Sequence, residues 1–303
     1  MKDIVLELKN LNKSYKKIEV LKNINLSIGR GEIYGLIGAN GAGKTTIIKL
    51  ITNQVFKSSG DIILFGKSTD KELSIARKKL GSIVETPSFY PYFSAKENLE
   101  YYRIQRGIKD KNCVDSALEE VGLSDTGNKK FKNFSLGMKQ RLGLALCIMS
   151  EPELLLLDEP INGLDPIGVM DFRNLLLKLN RERNITILIS SHILSELENL
   201  ATSYGFISKG RLIEEISANE LHSKCTKYLE LKVNSIDKVV NILENDFKIA
   251  TYEVLSDNVI RIYASLNNDE LFKKLIENNI SVYSMNNKRE NLEDYYLELV
   301  GGV

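Results

Sequence analysis

The sequence predicts an α/β chain in which strands and helices alternate around a parallel-type sheet, followed by a smaller α+β unit. Three observations carry this. Residues 32–37 form a short apolar strand that runs through glycines into a helical segment at 45–51. A fully apolar run, Leu154-Leu155-Leu156-Leu157, ends in two acids and opens a second strand–helix–strand series. Beyond residue 226 the periodicity reads β-α-β-β-α-β, the order of a split, ferredoxin-like unit.

Taken in order, residues 4–9 and 18–28 read as strands around a polar turn at 10–17. The strand at 32–37 and helix at 45–51 come next. Residues 90–150 are mainly helical: Ser94 is a candidate N-cap, a second helix covers 110–121, and a third runs from Ser135 to Met149. Alternation then resumes with a strand at 154–158, a helix at 167–182, a strand at 185–190, a helix at 193–200 and strands near 203–208 and 211–215. The last unit reads as strand 228–233, helix 236–247, a hairpin across Ser256-Asp257-Asn258, helix 269–278, strand 280–284 and helix 292–300. Expected domain limits are 1–217 and 226–303.

Composition narrows the function. With 303 residues and 43% hydrophobic content there is material for two cores. Lys+Arg 41 against Asp+Glu 40 gives no basic surplus, so nucleic acid is not an expected partner. Cys113, Cys147 and Cys225 form no CxxC pair, which argues against a zinc site or a disulfide framework. The N-terminus lacks a signal-peptide core, and no apolar run approaches the ~20 residues of a membrane span. A cytoplasmic protein is expected, and any membrane-crossing part must come from another subunit.

Chemistry concentrates at three places. Gly38-Ala39-Asn40-Gly41-Ala42-Gly43-Lys44-Thr45 matches G-x-x-x-x-G-K-[ST], a pattern met by chance in such a chain at roughly the 1% level. Its glycines let backbone N–H groups wrap phosphates, Lys44 reaches the β- and γ-phosphates, and the Thr45 hydroxyl ligates Mg²⁺. Helix N-terminal polarity adds to the attraction. Asp158, ending its strand, can hold Mg²⁺, while Glu159 points elsewhere and can polarise a water for attack on the γ-phosphorus. Ile189-Ser190-Ser191-His192 ends another strand, and His192 can contact the γ-phosphate or that water. His222 and residues 216–303 carry no catalytic or metal cluster, and their charges read as solvated faces.

The series Tyr15, the phosphate loop, Glu85, Ser135-Leu136-Gly137-Met138-Lys139-Gln140-Arg141, Asp158-Glu159, Gly163-Leu164-Asp165-Pro166 and His192 resembles the ATP-binding subunit of ABC transporters over about residues 3–215. The resemblance implies a phosphate-loop NTPase cassette with a RecA-like core, an antiparallel β subdomain and a helical subdomain at about 90–150. It implies ATP and Mg²⁺ as ligands, with Tyr15 on adenine and Asn40, Gly41, Gly43, Lys44, Thr45 and Thr46 around the phosphates. Ser135 and Gly137 would touch the γ-phosphate bound by a second copy, and Asp165 would lie at that dimer interface.

Two motifs depart from the usual pattern. Leu136 and Met138 stand where Leu-Ser-Gly-Gly-Gln has glycine and glutamine, and Glu85 stands where a glutamine usually links metal and water to the membrane subunit. The resemblance thus implies Glu85 as a further residue at the nucleotide and its Mg²⁺, accepting from metal-bound water. Glu85 and the Ser-Leu-Gly-Met-Lys-Gln signature resemble the bacitracin and lantibiotic self-protection branch. That branch implies a homodimer at the inner face of the membrane, working with separate permeases to expel peptide antibiotics. A transporter of another substrate, or a soluble ABC ATPase, stays open at this point.

Overall fold

The computed structural model describes residues 3–85, 87–224, 227–264, 266–289 and positions 295, 296, 299 and 301. It divides into two compact units, Met1–Ala218 and Asn219–Val303.

The first unit opens with an antiparallel pair, β1 (Ile4–Tyr15) and β2 (Ile18–Gly29). The expected polar turn at 10–17 is corrected: strand pairing continues to Tyr15, and only Lys16 and Lys17 turn the chain. Register shifts between Leu8, Leu11 and Lys13 absorb the polar residues as bulges. Asn10 N–H donates to Asn25 Oδ1 at 2.9 Å and Asn23 N–H to Asn12 Oδ1 at 2.8 Å, so asparagine side chains satisfy backbone groups that the ladder leaves out. β3 (Ile33–Ile37) then leads through the glycine-rich loop to α1 (Lys44–Ile51). Next come β4 (Ser59–Leu64), α2 (Asp70–Ala76) and β5 (Leu80–Ile83), elements that the sequence periodicity did not single out. β4 joins the first sheet, in the order β2-β1-β4.

Three helices succeed them: α3 (Ala95–Gln105), α4 (Asn112–Glu120) and α5 (Leu136–Ile148). Ser94 caps α3 in a reciprocal box, accepting from Glu97 N–H at 3.2 Å while Ser94 N–H donates to Glu97 Oε2 at 2.6 Å. β6 (Leu154–Asp158), α6 (Pro166–Arg183), β7 (Thr186–Ser191), β8 (Ser203–Ser208) and β9 (Arg211–Ser217) complete the unit. The expected helix at 193–200 is corrected to successive turns. Leu194, Leu197 and Leu200 are buried at three-residue spacing, and the N–H groups of Leu197 and Leu200 donate three residues back, to the Leu194 and Leu197 carbonyls. Three-residue spacing of leucines thus reflects a tight path against the core, not an α-helical face.

The main sheet has the order β5-β6-β7-β3-β8-β9, parallel except for β9. All four leucines of β6 are fully buried, as a strand covered on both faces requires. Each such burial contributes about 1.5–3 kcal/mol. Because β7 lies between β3 and β6, its C-terminal residues emerge between the glycine-rich loop and the acidic pair.

In the second unit, reached through α7 (Ala218–Lys224), come β10 (Lys227–Val233), α8 (Ile236–Asn245), β11 (Tyr252–Leu255), β12 (Val259–Ile262), α9 (Asn268–Glu277) and β13 (Val282–Arg289). Their antiparallel sheet has the order β11-β12-β10-β13, around a core that includes Leu231, Val239, Leu243, Ile260 and Leu271. The β-α-β-β-α-β order with the first and third strands central is that of a split βαβ unit. The last strand is longer than the expected 280–284. Cys225 lies outside the described residues, as does most of the expected helix at 292–300.

Candidate functional site

The glycine-rich loop leaves β3 at Ile37, and Gly38 N–H donates to the Ser191 carbonyl at 3.3 Å. Two of its glycines are structurally required. Gly43 has φ +117°, and a β-carbon there would stand 2.5 Å from Leu21 Cδ2; at Gly38 a β-carbon would run into the Ile207 carbonyl. The N-cap position of α1 is Gly43, which has no side chain with which to cap the first N–H groups of the helix. A backbone cradle too narrow for a side chain, at an uncapped helix N-terminus, suits a phosphate chain. Asn40 and Gly41 lie on the exposed outer part of the loop, and Thr45 and Thr46 are in the first turn of α1.

Lys44 is almost fully buried. Its Nζ donates to the carbonyls of Gly38 at 2.6 Å and Ala39 at 3.3 Å and pairs with Glu159 Oε1 at 3.1 Å. Glu159 has φ +46°, a left-handed conformation uncommon for a non-glycine residue. It lies one residue beyond the end of β6, so its carboxylate is not stacked with Asp158. Glu159 Oε2 meets His192 Nδ1 at 3.1 Å and accepts from Asn162 Nδ2 at 3.3 Å. Asp158 is buried, and its Oδ1 accepts from Ser190 Oγ at 2.7 Å. The structure therefore brings Lys44, Asp158, Glu159 and His192 to one edge of the sheet, at the C-terminal ends of β3, β6 and β7, where open α/β sheets bind ligands.

Glu85 is placed differently from that group. Its backbone has φ +62°, its side chain is 67% exposed, and Oε1 pairs with Lys49 Nζ at 2.6 Å. The hydrogen bond from Lys49 to the Glu85 carboxylate raises the lysine pKa above its usual value, against a small opposing effect of burial. Tyr15, at the end of β1, is 42% exposed, with Lys13 Nζ 4.5 Å from its ring centroid. An exposed ring of this kind can stack on a base.

Ser135, Gly137 and Asp165 form a second cluster. Ser135 caps α5, its Oγ accepting from Met138 N–H at 3.3 Å, and Asp165 caps α6, its Oδ1 accepting from Gly168 N–H at 2.8 Å. Both helix starts line one open cavity of about 410 Å³ with Leu136, Gly137 and Leu164. No residue of the glycine-rich loop or the acidic pair lines it. Within one chain these are two separate sites.

Three residues of this arrangement were not singled out by sequence: Ser190, Asn162 and Lys49. Ser190 and Ser191 did carry a signal, as polar residues ending an otherwise apolar strand. Asn162 and Lys49 carried none, because only the folded loops bring them to their carboxylates.

Together the glycine cradle, the buried lysine and the acidic strand end define a nucleoside-triphosphate-binding cassette. The ABC transporter family model matches residues 21–162. The chain is 44% identical over 301 residues to the bacitracin transport ATP-binding protein BcrA of Enterococcus faecalis, covering 99% of this chain and 97% of that protein. It is 44% identical over 211 residues to the lantibiotic transport ATP-binding protein SrtF of Streptococcus pyogenes, covering 70% and 90%. A bacterial ABC transporter cassette solved as a dimer superposes with a TM-score of 0.64 at 27% identity, over 70% of this chain and 98% of that one. The chain belongs to the ATP-binding subunits of ABC transporters, ATPases that work with membrane permeases.

Proposed function

We propose that this chain powers the removal of a bacitracin-type peptide antibiotic from the membrane through a separate permease, acting as a homodimer at the inner membrane face. The observation that carries the substrate class is the extent of similarity. The bacitracin relative matches over 301 residues, through the second unit, whereas the lantibiotic relative matches over 211. Among the described residues no helix is long and apolar enough to cross a membrane, which fits a division of labour with a permease.

The chemistry follows from the placement of the side chains. A triphosphate entering the loop competes with the Gly38 and Ala39 carbonyls and with Glu159 for Lys44. As Lys44 turns to the phosphates, Glu159 loses its cationic partner and can accept a proton from water. The water oxygen forms a bond to the γ-phosphorus, the bond to the β-bridging oxygen breaks, and Glu159 takes the proton. His192, 3.1 Å from Glu159, positions that water. Mg²⁺ would be held by the Thr45 hydroxyl and Asp158 and would neutralise charge on the β- and γ-phosphates. Tyr15 packs on the base. Ser135 and Gly137, with Asp165 beside them, complete the site of the second copy, a reading supported by their separation from Lys44 and Glu159 within one chain.

Expression of the chain together with its permease should raise bacitracin tolerance of a sensitive bacterial host several-fold, and less so tolerance of lantibiotics. Unchanged tolerance to both, in cells where the ATPase is active, would overturn the substrate assignment. Glu85 is read as tuning the link to the permease, because its carboxylate is tied to the α1 residue Lys49. Glu85→Gln should weaken that tie and alter permease stimulation of ATPase activity in proteoliposomes, with ATP affinity changed by less than about 5-fold, the ceiling set by an exposed ion pair worth under about 1 kcal/mol. Equal losses of affinity and stimulation would count against this role.

A further inference from the structure

We propose that Ser190 is a positioning residue for ATP hydrolysis, a single buried hydroxyl that sets Asp158 and Glu159 together. The inference rests on the reading of Asp158 as metal ligand and Glu159 as base. Ser190 and Asp158 are register partners on the parallel strands β7 and β6. Ser190 is fully buried. Its Oγ donates its one proton to Asp158 Oδ1 at 2.7 Å and accepts the Glu159 N–H at 3.0 Å.

A hydroxyl has one proton to give, so these two contacts fix its orientation. Donation to Oδ1 holds the Asp158 carboxylate in one rotamer and occupies one of its oxygens, leaving the other for a metal ion. Acceptance from Glu159 N–H pins the backbone where the chain leaves β6 and enters the left-handed conformation at φ +46°. That conformation carries the Glu159 side chain to Lys44 and His192. One atom on the middle strand therefore links the orientation of the acid to that of the base. Outer partners of this kind tune metal ligands from one shell away. A hydroxyl that merely satisfied a buried N–H would affect stability and leave metal affinity alone.

The full chain with Ser190→Ala and with Ser190→Thr separates these roles. The readouts are Mn²⁺ affinity by electron paramagnetic resonance with a non-hydrolysable ATP analogue, kcat and KM for Mg·ATP, and the thermal midpoint. Ser190→Ala should weaken Mn²⁺ binding and lower kcat, each by about 10-fold or more, with KM for ATP nearly unchanged. Ser190→Thr, which keeps the hydroxyl, should recover most of both. In an Asp158→Asn background Ser190→Ala should cause no further loss of Mn²⁺ affinity, a comparison that holds even if the threonine variant does not fold. Wild-type Mn²⁺ affinity and turnover in Ser190→Ala, a change in thermal midpoint alone, or an undiminished effect in the Asp158→Asn background would overturn the proposal. If Asp158→Asn and Glu159→Gln themselves turned over normally, the underlying reading of the site would fall instead.

Discussion

Replacing Glu159 with Gln should lower ATP turnover by about 100- to 10,000-fold, the range that a positioned general base contributes. Glutamine keeps the shape and can still accept from Asn162, so the loop beyond β6 should hold its path. What it loses is the charge that pairs with Lys44 at 3.1 Å. A phosphate chain then meets a lysine with one competitor fewer, and ATP binding should be equal to or tighter than that of the parent. Phosphate release measured beside equilibrium binding of a fluorescent ATP analogue distinguishes these effects. Size-exclusion chromatography with ATP should show the variant accumulating as a dimer, since nucleotide that is bound and not hydrolysed keeps two copies together. Turnover comparable to the parent would remove Glu159 as the base.

Gly43→Ala should have the second largest effect, through the backbone. The position has φ +117°, and the new methyl would stand 2.5 Å from Leu21 Cδ2, an atom of the buried β2 core. Backbone strain of this kind costs about 1–3 kcal/mol before the overlap is counted. The cheapest relief is to move the loop, which also moves Lys44 and the N-terminus of α1. ATP binding should therefore be lost together with a fall in thermal midpoint of about 2–4 °C per kcal/mol. Gly41→Ala is the internal control, because φ there is +81° yet no atom lies within 4 Å of the added carbon. It should lower stability less than Gly43→Ala does. Equal loss in the two variants would mean that the left-handed backbone alone, and not the packing against Leu21, fixes the loop.

Much of the fold was legible because burial imposes periodicity. The four leucines of β6, the amphipathic helices α8 and α9 and the Ser94 cap of α3 each have a local cause, so spacing and residue type mark them out. The failures share a cause of another kind. Asn10 and Asn12 read as a turn because bulge residues look like turn residues until their cross-strand partners Asn25 and Asn23 are known. The leucines at 194, 197 and 200 read as a helix because a helix and a series of tight turns bury similar spacings. β4, α2 and β5 went unmarked: they are short, and only two residues of β4 and one of β5 carry large buried side chains within mixed polar surroundings.

For the site itself, the sequence by itself marked out the candidate residues. The glycine spacing around Lys44, the acids ending an apolar strand and the lone histidine ending another need no partner beyond their own strand or loop to be recognised. Tertiary structure decided the assembly. Lys44, Glu159 and His192 are far apart along the chain, and they meet because β7 inserts between β3 and β6. Strand order is set by how the helices pack on the two faces of the sheet, which no local spacing records. The same order places the Ser190 hydroxyl between the two acids, and loop packing of equally non-local origin sets Glu85 on Lys49.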